Sequence, residues 1–215
     1  MVVRGWKWRY GNRFNGSRGY VLVPVLILAA GQGERLGRVK ALAPWKGGTL
    51  LDDAVQRGRE ASSCVFVAVG AGDPLVRFRT RHRPACWCPV ADWDEGQSRA
   101  LIKGLGCVRG RTTWPGALVM LVDQPLIPAG HLQALVAQAS RSPGTAVATL
   151  ADGRRMAPAY LPRWLWPRVF ELDGDRGAGG ILNAIGAPGV TCEAALEDID
   201  TRADLLNARD SVAEP

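Results

Sequence analysis

The chain has 215 residues, 47% of them apolar, enough for one sizeable core and short for two ordinary domains. Its net charge of +7 is concentrated before the first acid, Glu34, where Arg4, Lys7, Arg9, Arg13 and Arg18 sit. The rest carries only a small positive excess, which suits an enzyme of phosphate-bearing small molecules better than a nucleic-acid binder with basic residues clustered on one face.

Residues 1–20, with Trp6, Trp8, Gly11, Asn12 and Gly16, lack sustained periodicity and read as a basic, disordered arm. Val21 to Leu28 is an almost unbroken run of Val, Leu and Ile, as expected of a first strand buried on both faces of a parallel sheet. Together with Leu28-Ala29-Ala30 the start imitates a secretory signal, a reading that the charged loop after it argues against. The run is about half of the roughly 20 residues needed to span a bilayer, so no transmembrane helix is expected.

A helix follows over Thr49 to Ala61, then a second buried strand over Cys64 to Val69 closed by Gly70, Gly72 and Pro74. Asp94 to Val108 reads as helix after a turn around Gly96, and Ala117 to Val122 as a third apolar strand, halted by Pro125 and Pro128. Ile127 to Ser140 is helical, Thr145 to Leu150 and Met156 to Leu161 are strand-like, and residues 163–182 mix helical pieces with a Gly-rich loop. Thr191 to Leu196 reads as a last strand and Arg202 to Ala208 as a short helix, leaving 209–215 as a tail. Alternating strands and helices predict an α/β domain with a mainly parallel sheet and helices on both faces.

The most informative stretch is Leu28-Ala29-Ala30-Gly31-Gln32-Gly33-Glu34-Arg35-Leu36-Gly37-Arg38-Val39-Lys40. Glycines let successive N–H groups turn into one concavity that binds phosphate oxygens, and Arg35 and Lys40 add two cations for a triphosphate. A Walker A loop does not fit it, and a dinucleotide fingerprint has no use for the Arg and Lys. Asp123 ends the third strand in Leu121-Val122-Asp123-Gln124-Pro125, at the sheet edge where ligands of such folds bind. Mg²⁺ takes oxygen ligands from one or two carboxylates and substrate phosphates, and Asp123 is the candidate for that role.

These segments resemble the MobA-like nucleotidyltransferases, whose loop L-A-A-G-x-G-x-R-x-G-x-x-K and strand end L-x-D-Q-P match here without a gap over a resemblance that spans residues 21–208. The resemblance implies a Rossmann-like (GT-A-like) three-layer domain that transfers NMP from an NTP to a phosphate acceptor and releases pyrophosphate. It assigns Arg35, Lys40 and Asp123 to catalysis and Leu28, Ala29, Ala30, Gly31 and Gly33 to the nucleotide. Asp200, in Asp198-Ile199-Asp200-Thr201, is a second candidate metal ligand, or else Thr201 or Asp200 caps the helix that follows. Gly96 and Ser98, in a W-x-x-G-x-S-like stretch, would line the base and ribose pocket, Ser98 serving also as a helix cap.

Arg155, Pro158 and Asp175 fall on the acceptor side, where Met156 and Ala157 replace the usual Gly and His. Val90 stands where many relatives carry Asn. Ala30, giving L-A-A-G rather than the L-A-G-G of guanylyltransferases, favours CTP with molybdopterin as acceptor. The rivals are the same chemistry on another acceptor, such as a sugar phosphate, and a non-catalytic accessory factor of a molybdoenzyme. Five scattered cysteines suggest a reducing cytoplasm rather than a disulfide framework. His82, Cys86 and Cys88 are too few for a four-ligand zinc site, and Trp164, Trp166 and Phe170 read as packing.

Overall fold

The structure, a computed structural model, describes residues 23–213. Residues 1–22, with the arm and the start of the first apolar run, lie outside the described residues, as do 214–215. The strands are β1 (Val25–Ala29), β2 (Pro44–Trp45), β3 (Gly48–Thr49), β4 (Val65–Val69), β5 (Cys86–Pro89), β6 (Gly116–Leu121), β7 (Val147–Ala151), β8 (Arg154–Pro162) and β9 (Gly189–Thr191). The helices are α1 (Leu50–Ala61), α2 (Asp73–Arg79), α3 (Gln97–Arg111), α4 (Ala129–Arg141), α5 (Trp166–Phe170), α6 (Gly179–Ala184) and α7 (Arg202–Ala213).

Seven strands form one sheet in the order β5-β4-β1-β6-β8-β7-β9. All pair in parallel except β8, which runs antiparallel to both β6 and β7. Because successive side chains of a strand point to opposite faces, the apolar runs serve two cores at once. Val25, Ile27 and Ala29 pack on one face with α1, α4 and α7. Leu26 and Leu28 pack on the other with α3, α5 and α6. The fold is a Rossmann-like three-layer α/β domain, as the alternation of elements predicted. The chain steps from β1 outward to β4 and β5, then returns to the other side of β1 as β6. The strand order thus reverses between β1 and β6, the crevice where open α/β sheets bind ligands.

Several boundaries differ from the sequence reading. Thr49 caps α1 instead of beginning it, its hydroxyl accepting from Asp52 N while Asp52 returns the bond to Thr49 N. The turn expected around Gly96 is present, with a short 3-10 turn over Trp93–Glu95 ahead of it, and α3 starts directly after it at Gln97. The last strand is Gly189–Thr191, and Glu193–Leu196 is a 3-10 turn rather than strand. The final helix continues to Ala213, through the residues read as a tail. Trp166 is buried beside Phe170, whereas Trp164 is more than half exposed and donates to Gly144 O. No helix among the described residues is long and apolar enough to cross a membrane.

Candidate active site

The loop after β1 turns at Gly33, whose φ of 72° is left-handed. A Cβ there would meet Arg38 O at 2.4 Å and Lys40 Cγ at 2.7 Å, so only glycine lets the loop fold back and seat Lys40. Among the described residues the amides of Gly31, Gln32 and Gly33 donate to no acceptor, and they border the crevice between β1 and β6. Leu28, Ala29 and Ala30 are the buried end of the strand that carries the loop, while Gly31 is exposed.

Two more segments converge on that edge. Asp123 follows β6, and its carbonyl accepts from Ile199 N at 2.8 Å. Gln124 Nε2 donates to Ala195 O at 3.2 Å, so residues 195–200 are docked against the Asp123 turn by two hydrogen bonds. The result is an ionic group assembled from three distant parts of the chain. Lys40 Nζ donates to Asp123 Oδ2 at 2.6 Å and to Asp200 Oδ1 at 2.5 Å, and Arg35 Nη2 donates to Asp200 Oδ2 at 2.7 Å.

The electrostatics follow from that geometry. Burial acts to lower the Lys40 pKa, but the charges and hydrogen bonds of Asp123 and Asp200 outweigh it and hold the ammonium above its ordinary value. The hydrogen bond from Lys40, with Arg35 behind it, holds the Asp200 carboxyl below the usual range. Asp198 goes the other way: although the residue reaches solvent, its partly enclosed carboxyl is pushed up by desolvation and by the neighbouring charge of Asp123. Asp123 Oδ1 is buried and has no hydrogen-bond partner among the described residues.

Asp198 is the member of this acidic group that the sequence reading left without a role. Its signal was the Asp-x-Asp spacing in an extended segment, which directs both side chains to one face. Asp200 also has no capping role towards α7. Its own backbone N–H and that of Thr201 are accepted by Asp204, whose N–H is in turn accepted by Thr201 Oγ1.

A second wall of the crevice is built at the start of α3. Gly96 has a φ of 114°, and a Cβ on it would lie 2.4 Å from the carbonyl carbon of Gly174. The Gly174–Asp175 turn therefore clasps the helix: Ser98 N donates to Gly174 O at 3.0 Å and Gln97 N to Asp175 Oδ1 at 3.3 Å. Asp175 caps the helix, not Ser98, whose side chain is fully buried with its hydroxyl unpartnered. Arg155 spends its guanidinium on Ala187 O, and Pro158, after a cis peptide bond, is buried in β8 with its carbonyl accepting from Thr149. Of the three acceptor-side candidates only Asp175 is exposed. Between α3, β8 and α6 lies a cavity of about 290 Å³ walled by Leu28, Gln97, Leu121, Met156 and Ala157 among others. A larger cavity of about 520 Å³ beneath the β2–β3 hairpin shares none of the residues of the ionic group.

The cysteines depart from the sequence reading. Cys88 on β5 is joined to Cys107 on α3 as a disulfide, 19 residues apart in sequence and adjacent in space because α3 packs on β5. His82 is not part of that group, which has Cys86 as its third member.

Comparisons with known proteins agree with this geometry. The model of the MobA-like NTP transferase domain matches residues 25–189. Nicotine blue oxidoreductase of Paenarthrobacter nicotinovorans is 30% identical over 191 residues, covering 82% of this chain and 91% of that protein. The purine catabolism protein PucB of Bacillus subtilis is 32% identical over 198 residues, covering 82% and 90%. Among solved structures, the manganese complex of Rv0371c from Mycobacterium tuberculosis superposes with a TM-score of 0.70 at 21% identity, covering 88% of this chain and 99% of its own. The molybdopterin-guanine dinucleotide biosynthesis protein A of Archaeoglobus fulgidus does so at 0.66 and 14% identity, covering 89% and 99%. With a glycine-rich loop after β1, a lysine clamped between two aspartates and a family match over most of its length, the chain belongs to the MobA-like NTP transferase family and is a nucleotidyltransferase.

Proposed function

We propose that this nucleotidyltransferase transfers CMP from CTP to the phosphate of molybdopterin and releases pyrophosphate. The observation that carries the reading is the Lys40 ammonium held between Asp123 and Asp200 beneath a loop with unengaged amides. The acceptor phosphate oxygen attacks the α-phosphorus in line, the bond from the α-phosphorus to the bridging oxygen breaks, and pyrophosphate departs with its electrons. The amides of Gly31 to Gly33 and the Arg35 guanidinium bind the triphosphate, and Lys40 moves from bridging two carboxylates to offsetting the charge that gathers on the leaving phosphates.

The residues fit a divalent cation, for which Mg²⁺ is our assignment. Asp123 Oδ1 is a buried oxygen without a partner, and the raised Asp198 carboxyl marks a spot crowded with negative charge. Asp123 and Asp200 would hold the ion, with Asp198 beside them. When bound, Mg²⁺ supplies charge neutralisation and orientation of the triphosphate. The manganese in the mycobacterial neighbour supports a divalent-metal reading of this chain as well.

Ala30 supports CTP over GTP. The acceptor assignment is supported by the family and by the likeness to the Archaeoglobus molybdopterin-guanine dinucleotide biosynthesis protein. Met156 and Ala157, on the wall of the 290 Å³ cavity, favour an acceptor with a flat or apolar face over a polar sugar phosphate. They also motivate the reading as an accessory factor that binds nucleotide for a molybdoenzyme without turnover. Incubation with CTP, Mg²⁺ and molybdopterin, followed by mass analysis of the pterin, tests the proposal. A cytidine dinucleotide adduct is the expected product; bound CTP that stays intact with every acceptor would transfer the assignment to the accessory role.

A further inference from the structure

At the free edge of the sheet three sulfur atoms come together. Cys86 and Cys88 are two residues apart on β5 and so share a face of the strand. That face packs on α3, which brings up Cys107. The three Sγ atoms lie within 4.8 Å of one another, with Cys86 Sγ 3.8 Å from Cys107 Sγ. Cys88 is buried, while Cys86 and Cys107 reach solvent in part. The group is on edge strand β5, with β4 between it and β1, and near the last turns of α3, about 15 Å along the helix from Gln97 at 1.5 Å per residue. It is therefore separate from the Lys40 group.

We propose that, once the Cys88–Cys107 bond is reduced, Cys86, Cys88 and Cys107 bind one Cu(I) ion as a three-thiolate site. Thiolates select soft cations, chiefly Cu(I) and Zn(II). A closed zinc site needs four protein ligands, and among the described residues this group has three, with no His or carboxylate to complete it. Cu(I) is satisfied by three sulfurs. Three thiolates around one monovalent ion leave a charge of about −2. The structure answers it with Arg111, whose Nη1 lies 3.2 Å from Cys107 Sγ, and with Arg77, whose charge bears on Cys86.

The chemistry balances in two stages. A dithiol reductant delivers two electrons and two protons to the Cys88–Cys107 bond, giving two thiols and leaving the reductant as its own disulfide. The three thiols then lose three protons as they take Cu(I). The disulfide and the metal are mutually exclusive, because the bond consumes two of the three ligands.

The full chain, reduced with a dithiol under anaerobic conditions and desalted, is titrated with Cu(I) in the presence of the coloured chelator bicinchoninate. The expected result is removal of about one Cu(I) per chain from the chelator, and less than about a tenth of that by oxidised protein or by C86S and C107S. Cys192→Ser, remote from the group, retains full uptake. Cys86 is half-exposed on an edge strand, so C86S keeps its fold, which far-UV circular dichroism verifies. X-ray absorption should find three sulfur neighbours and no nitrogen. Reduced protein that leaves Cu(I) with the chelator, C86S that binds as the parent does, or Zn(II) retained in preference when both ions are offered would each overturn the assignment.

Discussion

Replacing Lys40 with Ala removes, among the described residues, the one ammonium within the Asp123, Asp198 and Asp200 group while leaving Arg35 on Asp200. For turnover, loss of one preorganised charge in a catalytic site costs about 10²- to 10³-fold, or about 2.7–4 kcal/mol of barrier. For stability, Lys40 and Asp123 are each under a fifth exposed. This puts the pair between an exposed bridge, worth about 0–1 kcal/mol, and a fully buried one, whose breaking costs about 3–5; about 1–3 kcal/mol is expected. The folded pKa of Lys40 is raised above 10.5, so its contribution is fully present below that pH and is lost only as pH climbs past it. The deficit should therefore be flat from about pH 5 to pH 9. Pyrophosphate release at saturating nucleotide, with urea unfolding in parallel, measures both numbers. A divalent cation, standing in for the lost charge, should recover part of the stability and none of the turnover. Turnover within about threefold of the parent would refute the role given to Lys40.

Asp123→Asn keeps the shape of the residue but halves its capacity to hold a cation, so activity and its dependence on Mg²⁺ should fall together in a metal titration. Unchanged activity would remove Asp123 from the metal site. Gly96→Ala forces a side chain into a left-handed backbone and against Gly174. A loss of at least about 1–3 kcal/mol in denaturant unfolding is expected, together with weaker CTP binding as the clasp on α3 opens. His131 is buried, and its Nε2 lies 2.8 Å from Thr149 Oγ1, which itself donates to Pro158 O. With the Thr149 hydroxyl spent on Pro158 O, the imidazole donates to it from Nε2. Burial lowers its pKa from 6.5, so the unfolded chain takes up the proton first. Stability is present above 6.5 and declines as pH falls below it, by at most about 1.4 kcal/mol per pH unit. His131→Gln should flatten the drop in melting temperature between about pH 7.5 and 5.5, and an equal drop in both proteins would contradict the linkage.

The parts of the fold that were legible in the sequence are those whose residues answer to one strong local force. β1, β4 and β6 are buried on both faces and read as continuous apolar runs. Asp123 stands at a strand end fixed by two prolines. The β2–β3 hairpin escaped notice because its strands have two residues each and its turn, Lys46-Gly47 with both φ positive, lacks the Asn-Gly or Asp-Gly signal. β5 was hidden by Pro89, which an edge strand tolerates, and α2 by Pro74, which suits the first turn of a helix and was taken as a strand terminator.

Lys40 was expected to face a triphosphate and Asp123 a metal, and both expectations assume a ligand. Half-buried charges are costly unless paired, and Lys40, Asp123 and Asp200 meet that demand by pairing with each other, which the sequence positions alone do not reveal. The Cys86, Cys88 and Cys107 group depends on how β5 and α3 dock, and no local pattern brings Cys107 to the other two.

Pyrophosphate release with Mg²⁺ and molybdopterin, run in parallel with CTP, GTP, ATP and UTP, tests the central claim most directly. The account predicts release with CTP alone and only when the acceptor is present. Release with GTP in preference would contradict the nucleotide assignment, and silence with all four nucleotides, in protein that binds CTP, would contradict catalysis on this acceptor.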